Sequence, residues 1–161
     1  MIRDYIDLEQ MRFKNTFQYE IRIPDDVRPG DIKIPAMVIQ PYVENAINHG
    51  LRHLENKEGF LLISFSFSGN QLLCMIEDNG VGFEQAAIIE KQGKQHVSLG
   101  MEITKNRIET MNQLYNTQIS VRIIDRSISK PGQSGTIIEI NIPLINQTHY
   151  HEQEYADHYN S

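Results

Sequence analysis

The chain has 161 residues, 40% of them hydrophobic and 22% charged, enough for one domain with a real core and too few for two comfortable ones. Its formal net charge of −6 argues against a general nucleic-acid or anionic-membrane binder, because both need a basic face. Any phosphate it holds should therefore be held by backbone groups or a metal.

Met1 to Phe17 carries apolar residues near helical spacing without Gly or Pro and predicts a helix, the end of a longer one. Gln18 to Ile23 alternates and predicts a strand stopped by Pro24, followed by a loop over Asp25 to Lys33. Ile34 to Gly50 predicts a helix in which Pro35 suits the first turn and Pro41 should cause a kink or a restart. Phe60 to Ser68 and Gln71 to Glu77 predict two strands joined by a two-residue Gly69-Asn70 turn, a hairpin signal. Phe83 to Ser98 is a long polar connection with too few large apolar residues to hold one conformation without a ligand. Leu99 to Tyr115 predicts a helix, and Gln118 to Ile124 and Gly135 to Pro143 predict strands around a Pro131-Gly132 turn. The tail from Asn146 to Ser161 has no periodicity and reads as disordered. This order gives an α/β two-layer sandwich: a mixed, mostly antiparallel sheet with helices on one face. The folded domain should span residues 18–145, after a linker helix at 1–17.

The Ile34–Gly50 stretch has an unusual polar face. Wound at roughly 100° per residue, Gln40, Glu44, Asn45, Asn48 and His49 share one half of the circumference. Ile39, Tyr42, Val43, Ala46 and Ile47 share the other, and no Lys or Arg occurs from Ile34 to Gly50. Short carboxamides solubilise a helix poorly but make good ligands for a hard cation or a polar small molecule. A capped core helix with a neutral outer face is the plainer alternative.

Three further clusters lie at segment ends. Asp78 closes a strand beside Gly80 and Gly82, so that backbone can approach a ligand while a carboxylate accepts its hydrogen bonds. A simple Asp-Asn-Gly turn accounts for the same residues. Ser98-Leu99-Gly100 opens a helix whose N-terminal amides could face a phosphate, and Gly132 to Thr136 is another glycine-rich turn with a hydroxyl to offer.

Together and in this order the four stretches resemble the ATP-binding boxes of the GHKL superfamily of gyrase, heat-shock chaperone, histidine kinase and mismatch-repair ATPases. Within it the likeness is strongest to the Lyt-type sensor histidine kinases. Ile34 to Gly50 is similar to their N box, Asp78 to Gly82 to the first glycine box, and Ser98 to Met101 to the second. Gly135-Thr136 resembles the final glycine turn, and Asn106-Arg107-Ile108 the helix that follows the second box.

The resemblance implies ATP and Mg²⁺ as ligands. Asn45 would coordinate the metal, and Glu44 beside it would polarise a nucleophile or neutralise nearby charge. Asn48 and His49 would reach phosphate oxygens. Asp78 would take the adenine amino group, Gly80 and Gly82 would let backbone pass the base, Gly100 would bring amides to the phosphates, and Thr136 would bond near the base. Residues 83–98 would be the ATP lid, with Lys91, Lys94 or His96 closing over the phosphates. The implied activity is transfer of the γ-phosphoryl group to a histidine; a non-catalytic ATP-sensing module of the same fold is the alternative. Implied partners are an upstream His-bearing dimerisation segment, a response regulator of LytTR type and a second copy of the full-length protein, with no nucleic acid and no membrane contact by this chain.

Some features depart from the pattern. Pro41 stands where certain relatives carry a catalytic Glu, Ser98 where many have Gly, and Met101 where many have Leu. No run resembles the family's phosphoacceptor segment, so the chain is expected to be a catalytic domain cut from a larger kinase in a bacterial inner or plasma membrane, itself cytoplasmic. The single Cys74 excludes an internal disulfide, in keeping with a reducing compartment. His49 and His53 have the i, i+4 spacing of zinc ligands, but no third ligand is evident.

Overall fold

The computed structural model describes residues 2–14, 16–25, 36–54, 58–82 and 97–144. Its first helix, α1 (Ile2–Arg12), is shorter than the sequence predicts. Lys14 takes a φ of 53°, left-handed backbone that ends a helix, and so the strand β1 (Phe17–Arg22) starts one residue early. The predicted strands follow as β2 (Gly59–Ser68), β3 (Gln71–Asp78), β4 (Ser120–Asp125) and β5 (Thr136–Pro143). They form one five-stranded sheet in the order β1-β2-β3-β5-β4. Only β1 and β2 run parallel; the other three neighbouring pairs are antiparallel. A parallel pair needs a crossover, and here the crossover contains α2 (Ala36–Asn45).

Pro41 does not restart α2. The helix runs through Pro41 and changes only at Ala46–Gly50, a π-helical turn, and then Leu51–His53, a 3₁₀ turn. The predicted helix start at Ile34 and Pro35, the residue 83–96 part of the lid, and the tail lie outside the described residues. The third long helix, α3 (Val97–Tyr115), begins two residues before the predicted start. Asn116 ends it with a φ of 48°, and the Asn112 side chain fixes the exit: its Oδ1 accepts from Ile119 N (2.8 Å) and its Nδ2 donates to Ile119 O (2.9 Å). A four-residue helix, α4 (Arg126–Ser129), was not foreseen; Asp125 caps it by accepting from Ser127 N.

Alternation along the strands sets two sheet faces. Leu61, Ile63, Leu72, Cys74, Ile76, Ile138, Ile140 and Ile142 turn to one face, where they share a core with Ile6 of α1, Val38, Ile39 and Val43 of α2, and Ile108 of α3. Among the described residues α1, α2 and α3 thus cover one face, as the sequence order predicts. The opposite face carries Leu62, Glu77 and Ile137 side by side in register, all nearly buried. They lie outside the main core cluster.

Candidate functional site

The α2 helix and the π turn that extends it sort their side chains as the sequence suggests. Ile39, Tyr42, Val43, Ala46 and Ile47 are buried, whereas Gln40, Glu44, Asn45, Asn48 and His49 are half-buried. Gln40 Nε2 donates to Glu44 Oε1 at 2.8 Å, so one carboxylate oxygen is held along the helix. Asn48 is hydrogen-bonded to Tyr5 of α1, a contact the sequence did not suggest. Burial, together with the nearby Glu9 and Glu44, pushes the Tyr5 hydroxyl up to about 12.

The π turn delivers Gly50 to the end of β3. There an added Cβ on Gly50 would lie 2.9 Å from Asp78 Oδ1, and one on Gly80 would lie 2.4 Å from the Gly50 carbonyl carbon. Val81 N donates to Gly50 O at 3.2 Å, closing the contact. From the other side comes Gly135, with a φ of 128°, whose Cβ would overlap Asp78 O at 2.0 Å. Three backbone segments thus meet at Asp78, Gly50 and Gly80 beside its carboxylate and Gly135 on its peptide carbonyl, and at Gly80 and Gly135 side chains are excluded by contact with backbone that cannot swing away.

Asp78 is 2% exposed. Its Oδ1 accepts Gly80 N at 2.8 Å, and the carboxylate also takes the Thr136 backbone N–H. Burial pushes the carboxyl up to about 7, against those two donors and the Arg126 charge, which favour the ionised form. Thr136 pairs with Asp78 across the ladder and is itself buried. Gly82 has a φ of 84°, a conformation glycine adopts without strain.

The sequence-predicted residues therefore divide. Asp78, Gly80 and Thr136 come together, and the helix bearing Glu44, Asn45, Asn48 and His49 ends against them at Gly50. Gly100 lies in the first turn of α3, the end of the helix at which the leading N–H groups have no helical carbonyl to satisfy them. Among the described residues no group of three or more His, Cys, Asp or Glu side chains is placed to hold a metal, so none of them supplies a third ligand beside His49 and His53. The donor chemistry still suits Mg²⁺, which uses one or two protein oxygens and takes the rest from phosphates and water.

Sequence reasoning missed several residues here. Gly50 reads as a helix stop, yet its hydrogen side makes room for the Asp78 carboxylate. Asn79 is a brace: its Oδ1 accepts Phe60 N (2.6 Å) and its Nδ2 donates to Glu58 O (3.0 Å). Glu77, 6% exposed, receives Arg126 Nε at 2.6 Å and Lys130 Nζ. Burial alone would raise the Glu77 carboxyl, but those two cations hold it below the usual carboxylate range. Arg126 and Lys130 sit four apart, a legible helical spacing; nothing in the sequence announces a partner 49 residues away.

The pattern of the histidine kinase-, DNA gyrase B- and HSP90-like ATPases matches residues 30–146. The chain belongs to that ATPase family. Its relatives include the sensor protein LytS of Oceanobacillus iheyensis, 36% identical over 52% of this chain and 14% of LytS. The sensor histidine kinase YpdA of Escherichia coli is 30% identical over 77% of this chain and 21% of YpdA. LytS of Staphylococcus epidermidis is 29% identical over 93% of this chain and 24% of its own length. The chain thus spans a quarter or less of these relatives, which make it an ATPase domain of the Lyt sensor-kinase type. Among solved structures it shares its fold with the histidine kinase domain of an Erythrobacter litoralis blue-light activated kinase (TM-score 0.53, 17% identity, 89% of this chain and 63% of that one). The catalytic domain of histidine kinase ThkA gives a TM-score of 0.52 at 16% identity, over 88% of this chain and 90% of that one.

Proposed function

We propose that this chain is the ATP-binding catalytic domain of a sensor histidine kinase and passes the γ-phosphoryl group of ATP to a histidine in another segment of the longer protein. The observation that carries the reading is the Asp78 carboxylate, 2% exposed, with Gly50 and Gly80 against it and Gly135 on the peptide carbonyl of the same residue. A buried acceptor among glycines suits a flat base that offers an amino group, because backbone can approach both its faces. Asp78 accepts from the adenine amino group, Gly80 and Gly82 flank the base, and Thr136 bonds beside it. The first turn of α3, with Gly100, faces the phosphates with its unsatisfied amides. Asn45 holds Mg²⁺, whose charge offsets that of the phosphates, and Asn48 and His49 lie within a turn of it.

In the transfer, an imidazole nitrogen of the acceptor attacks the γ-phosphorus, the bond to the bridging oxygen breaks, and ADP leaves. Glu44 stands beside Asn45 to orient the acceptor imidazole. The full-length protein, on this reading, is a homodimer of a bacterial inner or plasma membrane that signals to a LytTR-type response regulator, with this domain in the cytoplasm. Among the described residues no helix is long and apolar enough to cross a membrane.

Titrating ATP and ADP with and without Mg²⁺ tests the site. Asn45→Ala should weaken ATP binding mainly when Mg²⁺ is present, and Asp78→Ala should weaken both nucleotides in either condition. Equal losses for Asn45→Ala in Mg²⁺ and in chelator would sink the metal role. Labelled ATP supplied with the acceptor-bearing helical segment in trans should label that segment slowly and in proportion to its concentration, because the advantage of tethering is absent. No label at any concentration would overturn the kinase reading.

A further inference from the structure

We propose that Arg126 is a positioning residue for the nucleotide base: it ties the buried Glu77 carboxylate to the Ser134–Gly135 backbone and so holds the start of β5 against Asp78. The assignment rests on the reading of Asp78 as the base acceptor. Arg126 uses three groups at once. Its Nε donates to Glu77 Oε1 at 2.6 Å, its Nη1 to Ser134 O at 3.2 Å, and its backbone N to Gly135 O at 3.0 Å. The guanidinium fork makes this possible; an ammonium cannot span the same acceptors in fixed geometry.

The turn it holds has little else to fix it. Pro131, Gly132, Gln133 and Ser134 are all exposed, so apolar burial does not anchor them. Two residues on, Thr136 is 8% exposed and gives its N–H to Asp78, while Gly135 packs directly on the Asp78 carbonyl. A shift of the turn would therefore open the Asp78 enclosure. The anchor is firm because Glu77 sits between Leu62 and Ile137 in register, where a carboxylate without cations would be costly. The charged groups that act on Asp78 are Arg126 of α4 and Glu77 of its own strand, both from the other face of the sheet; Gly50, Gly80 and Thr136 bring backbone alone. The cation on Arg126 therefore also favours the ionised acceptor.

The test is calorimetric titration of Mg²⁺-free ADP between about pH 5.5 and 8.5, where Asp78 changes charge. The unaltered chain and Arg126→Gln, Arg126→Lys and Glu77→Gln are compared, with thermal melting to confirm folding. Arg126→Gln should weaken ADP roughly tenfold, as expected for losing a charged hydrogen bond, and should move the pH midpoint of binding upward. Arg126→Lys should weaken ADP but keep the midpoint, because the charge remains. Glu77→Gln should weaken ADP and move the midpoint downward, because a negative neighbour of Asp78 is removed. A folded Arg126→Gln with unchanged affinity overturns the proposal, and so does weaker binding with an unmoved midpoint, which a merely structural role would give. Should Arg126→Gln not fold, an unmoved midpoint in Glu77→Gln overturns it instead. Failure of the unaltered chain to bind ADP would overturn the reading of Asp78 itself, a result visible before any variant is compared.

Discussion

Gly50 lies so close to Asp78 that one added methyl group would sit 2.9 Å from the carboxylate Oδ1. Gly50 has a φ of −85°, which any residue can adopt, so its backbone does not require glycine. Helix propensity alone would favour alanine there by about 1 kcal/mol. Gly50→Ala is therefore expected to change stability by no more than about 1 kcal/mol in a urea melt while weakening ADP roughly tenfold by displacing the carboxylate. Unaltered ADP binding in this variant would show that Asp78 moves freely and is not fixed by the Gly50 contact.

The buried Asp78 should also leave a mark on stability against pH. Its carboxyl is raised from 3.8 to about 7 in the folded chain, so the folded state binds the proton more tightly than the unfolded state. The contribution to stability is thus fully present below about pH 3.8 and is lost as pH rises through about 7. The loss amounts to about 4 kcal/mol for a shift from 3.8 to about 7. Asp78→Asn, which stays neutral, should be at least as stable as the unaltered chain at pH 8 and should flatten this slope, while abolishing nucleotide binding. Denaturant melts at acidic and alkaline pH measure both. An unchanged slope would show that Asp78 is hydrated in the folded state.

Asn79 supplies the contrast. It makes two side-chain hydrogen bonds to the start of β2 and lies next to Asp78 in sequence. Asn79→Ala should cost about 1 kcal/mol by removing two exposed hydrogen bonds whose backbone partners water can then reach. Nucleotide affinity, measured well below the melting temperature, should stay within a few-fold of the unaltered value. A tenfold loss of affinity in a folded variant would move Asn79 into the binding site.

Cys74 is fully buried in the core, and burial pushes its thiol up to about 12. Because the thiolate is the reactive form, a thiol reagent should leave the native chain unmodified and label it once denatured. Labelling in the native state at a rate close to that in denaturant would mean that the helices over β3 open frequently.

Much of the fold can be read from periodicity. The Gly69-Asn70 turn, the alternating strands and the two-sided α2 helix all appear in the structure as the sequence predicts, because local pattern and final burial agree there. Element ends were less legible. Lys14 stops α1 and Asp125 starts α4 through single backbone conformations and caps, which carry little pattern. Pro41 does not restart the helix: helical backbone continues through it from Ala36 to Asn45, so a proline ring alone does not locate a helix end.

By itself, the sequence determined the residues proposed to bind a nucleotide: the carboxamide face of α2, Asp78 at a strand end and the glycines at three turns. Those choices depend on residue chemistry and short-range spacing, which a linear text preserves. Only the tertiary structure decided that Gly50, Gly80 and Gly135 converge on one residue, Asp78, that Tyr5 of α1 engages Asn48, and that Glu77 is neutralised by Arg126 and Lys130. These contacts join segments far apart in the chain. They exist because β3 lies centrally in the sheet, paired with β2 on one side and β5 on the other, and its end is therefore the place where the α2 and β5 backbones can meet.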